Sequence, residues 1–345
     1  MESKRHPGVL PHEWTRVVNG IFIWLVFIRH FGILGVYGSN AFFSWEQRYL
    51  GQLIVTTFLF FSGYGLMYSI QKASREYIRK LILVRLPKLW GTFATIVLIY
   101  AGVKTCMGCE YTLIHVLVSL TGWKSVGNPT WYITMTLVEY LLIWCSFRCL
   151  GTKRSWRAVV MTALLTMLVI YVISCYKERL WYNTILCLPA GMIFALVGED
   201  IRRFLMLRKW QIGCICAVLL FTGAWIHREA YDWCKGLPIL KIWAGSMVAN
   251  LGAILFACGV AFAVAKAALL VEITFQNPFV RFMHWCGGPV IIYIFLLHNL
   301  PMQLGRQCEW IQSGAVLYFV FCLVMTLLMV IGAVMVERFL RAVRG

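Results

Sequence analysis

Acidic residues are scarce in this chain: 14 Asp and Glu stand against 32 Lys and Arg in 345 residues, and charged residues make up only 13%. So little charge cannot clothe the surface of a soluble protein of this length. With 61% hydrophobic residues and a mean hydropathy of +0.75, the apolar content far exceeds what a soluble core needs. No internal repeat and no low-complexity linker interrupts the chain, so no appended soluble domain is expected. Residues 1–16 hold charges and two prolines but no apolar core, which argues against a cleavable signal peptide. A metal motif is also lacking. Cys106 and Cys109 form one CxxC with neither a second pair nor nearby histidines, so no metal site is expected. The thirteen cysteines fall mostly within or beside apolar stretches, where cysteine acts as a small hydrophobe. A disulfide involving Cys106, Cys109, Cys234 or Cys308 stays open, because partners cannot be read from spacing.

Apolar runs recur along the whole chain. They predict an all-α integral membrane protein of about ten transmembrane helices in one bundle: 17–38, 50–70, 89–103, 131–150, 158–175, 181–197, 210–226, 242–265, 285–304 and 314–336. Residues 1–16 read as a cytoplasmic N-terminal segment, 17–338 as a single polytopic transmembrane domain, and 339–345 as a cytoplasmic tail. With the N-terminus inside, 22 of the 32 basic residues fall on the inner segments. That bias predicts both termini in the cytoplasm. The net charge of +18 therefore speaks of membrane topology and lipid contact, not of nucleic acid.

The first run carries Arg29 and His30 side by side. Ionisable groups at such depth are costly and usually line a polar cavity. Asn19 precedes His30 by eleven residues, about three helical turns, so both share one face about 16 Å apart. The structural alternative is a histidine satisfied by a neighbouring helix, with Arg29 reaching outward. A second histidine, His298, lies at similar depth in Tyr293-Ile294-Phe295-Leu296-Leu297-His298-Asn299. Pro289 and Pro301 bracket it, each removing a backbone donor and freeing a carbonyl. Two histidines at one depth fit a shared site, since imidazole can take a proton from a hydroxyl near neutral pH. Glu139 is the one carboxylate well inside a run, and a structural salt bridge with Arg29 suits it better than a chemical role.

Further features complete the pattern. In Phe60-Phe61-Ser62-Gly63-Tyr64-Gly65, small residues permit close approach of a ligand or, more commonly, of another helix. The segment 72–88 holds six basic residues, among them Arg79, Lys80 and Arg85, against Glu76 alone. It suits anionic headgroups and, equally, the phosphates of a cofactor arriving from the cytoplasm. Pro129-Thr130-Trp131-Tyr132 opens a later run as an interfacial aromatic pair.

Taken together these residues resemble the membrane acyltransferase family 3, which includes bacterial glycan O-acetylases. His30 matches the histidine of the family's first helix, and Asn19 stands where the family commonly has an arginine. Phe60-Phe61-Ser62-Gly63, the basic stretch ending in Arg85-Leu86-Pro87, Trp131-Tyr132, and Tyr293 with His298 follow in the family's order. The resemblance implies an acyl-CoA-dependent acyltransferase, with acetyl-CoA the first choice of co-substrate. Arg79, Lys80 and Arg85 would hold its phosphates, and its pantetheine would pass Ser62 and Gly63. His30 would act as general base on a hydroxyl of a cell-envelope glycan or lipid-linked sugar. His298 and Tyr293 would orient the acceptor or stabilise developing charge, in a multi-pass protein of the inner (plasma) membrane. The alternative from another class is an exporter of a polar solute using His30, Arg29 and Glu139 as a proton relay. Against it, transporters often carry repeated halves, and none is visible here.

Overall fold

The structure, a computed structural model, describes residues 8–34, 50–207, 211–237, 241–312 and 314–344. Residues 35–38 of the first expected span and Trp210 at the start of the seventh lie outside the described residues. Every regular element among the described residues is helical. The first half holds α1 (His12–Leu34), α2 (Leu53–Lys80), α3 (Leu86–Cys106), α4 (Leu113–Leu120), α5 (Trp131–Leu150) and α6 (Ser155–Ser174). Then come α7 (Cys187–Leu196), α8 (Gly198–Leu207), α9 (Gln211–Trp233) and α10 (Lys241–Leu270). The last are α11 (Pro278–Cys286), α12 (Ile291–Leu297), α13 (Asn299–Gly305) and α14 (Ala315–Arg344).

Seven helices among the described residues are long and apolar enough to cross a membrane, or eight if the bent pair α11 with Ile291–Gly305 counts as one span. The chain is a multi-pass membrane protein. Two departures from the ten expected spans have physical causes. The expected second and third spans lie in one helical run, Leu53–Cys106. At 1.5 Å per residue it would reach about 80 Å, far beyond a bilayer core of about 30 Å. The run breaks at Ser74 (φ 47°, ψ −126°) and loosens into a π-helical turn over Leu81–Arg85. The expected sixth span shrinks to α7, ten residues long, about half of what a crossing requires.

The chain forms two compact units: Met1–Thr15, Tyr49–Lys88 and Met135–Phe275 make one, and Arg16–Arg48, Leu89–Thr134 and Gln276–Gly345 the other. In the first unit, glycines let backbones touch. A Cβ on Gly63 would stand 1.9 Å from the Leu188 carbonyl oxygen, and one on Gly191 1.9 Å from that of Phe60, so α2 and α7 meet reciprocally. Gly223 and Gly252 do the same between α9 and α10. Without water to squeeze out, membrane helices gain attraction by such contact. Asn250 of α10 then fixes the start of α7, its Nδ2 donating to the Tyr182 carbonyl at 2.8 Å and its Oδ1 accepting from Leu186 N at 3.0 Å.

In the second unit, α1, α13 and α14 share a core of Phe27, Phe31, Met302, Tyr318 and Cys322. Asn277 caps α11, its side chain accepting from Phe279 N, with Pro278 where no donor is needed. The chain then turns by 70° through the Pro289 segment. Pro301 cannot donate to the Leu297 carbonyl four residues back, and the helix is interrupted there, at His298. His298 itself keeps helical angles (φ −59°, ψ −29°), so the side-chain periodicity runs on through it. Next to the break, the Leu296 carbonyl accepts from the Tyr100 hydroxyl at 3.0 Å.

Candidate functional site

The two histidines meet. His298 Nε2 lies 3.0 Å from His30 Nδ1, with the rings 4.7 Å apart. Each ring is also anchored to its own helix: His30 Nδ1 is 3.0 Å from the Val26 carbonyl oxygen, and His298 Nδ1 is 3.0 Å from that of Ile294. These contacts assign the protons. A carbonyl only accepts, so His298 Nδ1 carries the hydrogen. In the neutral ring His298 Nε2 is then a bare lone pair, and the shared hydrogen belongs to His30 Nδ1. Neutral His30 is left with its own lone pair on Nε2. His298 is fully buried and His30 only partly so, which leaves His30 the more accessible of the two rings. Phe27 and Phe295 flank His298, with ring centroids at 6.4 and 6.2 Å.

The other expected site residues are placed elsewhere. Asn19 lies eleven residues before His30 on the unbroken α1, about 16 Å along the axis. Its Oδ1 is buried without a hydrogen-bond partner among the described residues, close to where Gly20 and Gly287 bring α1 against the end of α11. The side chain of Arg16 runs beside Gly288. Tyr293, five residues before His298, points about 140° away around the helix. Its hydroxyl donates to Glu337 Oε2 of α14 at 2.8 Å. Glu337 was not foreseen; its one signal was an acid at the end of an apolar run.

The basic segment divides as well. In the first unit a cavity of about 510 Å³ is lined by Arg75, Arg79 and Arg148 together with Ile82, Trp144 and Phe147. Lys80 pairs instead with Glu76 at 2.6 Å, both well exposed, and Arg85 stacks on the Tyr77 ring at 4.8 Å. Ser62 is half-buried on α2. The face that glycine leaves open at Gly63 is filled by the Leu188 carbonyl, not left free for a ligand. Arg148, from the end of α5, joins the cavity across more than sixty residues of sequence, a meeting that spacing could not reveal. In the same unit Glu139 is fully buried; its Oε1 accepts from Thr166 Oγ1 at 2.8 Å, while Oε2 has no hydrogen-bond partner among the described residues. All thirteen cysteines are free thiols.

A family model described as an acyltransferase domain matches residues 13–336, nearly the whole chain. The chain belongs to acyltransferase family 3. It is a membrane acyltransferase, and the match takes in both histidines, the arginine cavity and the helices that carry them. No curated protein and no solved structure matches the acyltransferase.

Proposed function

We propose that this acyltransferase moves an acyl group, acetyl before longer chains, from acyl-CoA to a hydroxyl of a cell-envelope glycan or lipid-linked sugar, with His30 as general base. The observation that carries the reading is the hydrogen bond between His30 and His298. It leaves the lone pair of His30 on Nε2, in the ring that is only partly buried. Nε2 takes the hydroxyl proton as oxygen attacks the thioester carbonyl carbon. The C–S bond then breaks, and the proton passes from Nε2 to the departing thiolate. During the step the imidazolium keeps its Nδ1–H on His298 Nε2, much as a buried acceptor orients and steadies a catalytic histidine elsewhere.

The cavity of Arg75, Arg79 and Arg148 suits the phosphates of the donor. Its volume lies within the range of ordinary ligand sites. Guanidinium groups bind phosphate bidentately, and Trp144 and Phe147 offer rings for an adenine. The distribution of basic residues supports a cytoplasmic face for this end and for both termini, as in a protein of the inner (plasma) membrane.

Calorimetry on the purified full-length protein with acetyl-CoA and desulfo-CoA tests the donor site. Both should bind, and Arg79→Ala or Arg148→Ala should weaken binding at least tenfold while Lys80→Ala changes little. Lack of binding by folded wild-type protein would remove acyl-CoA as the donor.

A further inference from the structure

Asn299 directly follows His298 and opens α13. It is 9% exposed, and its carboxamide oxygen has no hydrogen-bond partner among the described residues. A buried amide in this condition destabilises the fold, whereas an apolar side chain of similar branched shape would not. Its surroundings follow from helical spacing. Residues 295, 299 and 303 succeed one another at four-residue intervals and share one face. Phe295 packs its ring on Tyr132 at 4.9 Å, and Gln303 Nε2 donates to the Gly127 carbonyl at 2.8 Å. Asn299 therefore sits between two contacts to the segment 127–132, on the helix that holds His298.

We infer that the Asn299 carboxamide is an acceptor-binding group. It takes a second hydroxyl of the substrate while the first gives its proton to His30. An amide offers one acceptor and two donors, a match for a hydroxyl that both gives and receives. Tyr132, partly exposed where it packs on the buried Phe295, places an aromatic ring on the same face, and a sugar ring pairs with such a ring beside an amide. The acceptor is thus selected as a polyol and not as a simple alcohol. This inference rests on the reading of His30 as the base.

The test uses full-length protein in lipid nanodiscs with acetyl-CoA as donor and thiol release as readout. Methyl glucoside and 1-propanol serve as acceptor probes. Methyl glucoside should raise the rate at least tenfold more than propanol at equal concentration. Asn299→Leu should erase that advantage through a higher acceptor KM, with the propanol rate and the donor KM unchanged. The variant should melt no lower than wild type. The inference is overturned if Asn299→Leu keeps the preference, or if propanol equals the glucoside. It is equally overturned if neither alcohol is used while His30-dependent release to water persists. A fall in the melting midpoint beyond about 5 °C would show the carboxamide to be satisfied structurally, and would overturn the inference as well. Thiol release unchanged in His30→Ala would instead refute the base, and this inference would fall with it.

Discussion

Replacing His298 by leucine removes the acceptor of the His30 Nδ1–H while keeping apolar bulk in a fully buried position. The consequence for rate can be worked from the geometry. On the proposed mechanism His30 becomes a cation as it takes the acceptor proton, and a hydrogen bond from a charged donor is worth about 1.5–3 kcal/mol. At about 1.4 kcal/mol per factor of ten, its complete loss would slow transfer about 10- to 100-fold. The Val26 carbonyl lies at the same 3.0 Å from His30 Nδ1 and can take the hydrogen alone, so the lower end, about tenfold, is expected. His298→Gln keeps an acceptor oxygen near the position of Nε2 and should recover most of the rate. His30→Ala removes the proposed base and should cost about 10²- to 10⁴-fold, with membrane insertion intact. The assay is acyl-CoA-dependent thiol release per mole of folded protein, with acceptor saturating. A wild-type rate in His298→Leu would show that His298 does not support His30. A rate as low as that of His30→Ala would show that His298 does more than hold His30.

Other perturbations test the scaffold around the site. Gly63→Ala brings a Cβ to 1.9 Å from the Leu188 oxygen, where contacts under 3.0 Å are essentially never found. Overpacking of two backbones should cost about 1–3 kcal/mol or more, seen as a lower melting midpoint, whereas Ser62→Ala should melt like wild type. Ser74→Gly should raise the midpoint, since a non-glycine residue at φ 47° and ψ −126° stores about 1–3 kcal/mol of strain. Glu337→Ala deprives the Tyr293 hydroxyl of an acceptor at 2.8 Å and should lower stability by about 1–3 kcal/mol, with Glu337→Gln intermediate. An unchanged midpoint in Glu337→Ala would show that this bond carries no net stability.

The class of the protein and the two histidines that the fold brings together were legible in the sequence, since each followed from a cost that a single residue imposes. A histidine in an apolar run needs a partner wherever the chain folds, so His30 and His298 stood out before any contact was known. The proline at 301 foretold an interruption in the turn before it because the missing N–H is a local covalent fact. Span counting was less secure. Hydropathy parted the second run from the third and marked the sixth as short, but it could not show that helix continues across the gap through a strained Ser74, or that only ten residues of the sixth run are helical.

What the sequence by itself determined is the membrane class, the family and the two histidines, all set by composition, covalent structure and residue order. The tertiary structure alone decided which groups lie together. It joined Arg148 to Arg75 and Arg79, turned Lys80 to Glu76 and Arg85 to Tyr77, gave Tyr293 to Glu337, and filled the space at Gly63 with Leu188. Periodicity places a side chain on a face of its own helix. Only the packing of one helix on another determines what that face meets.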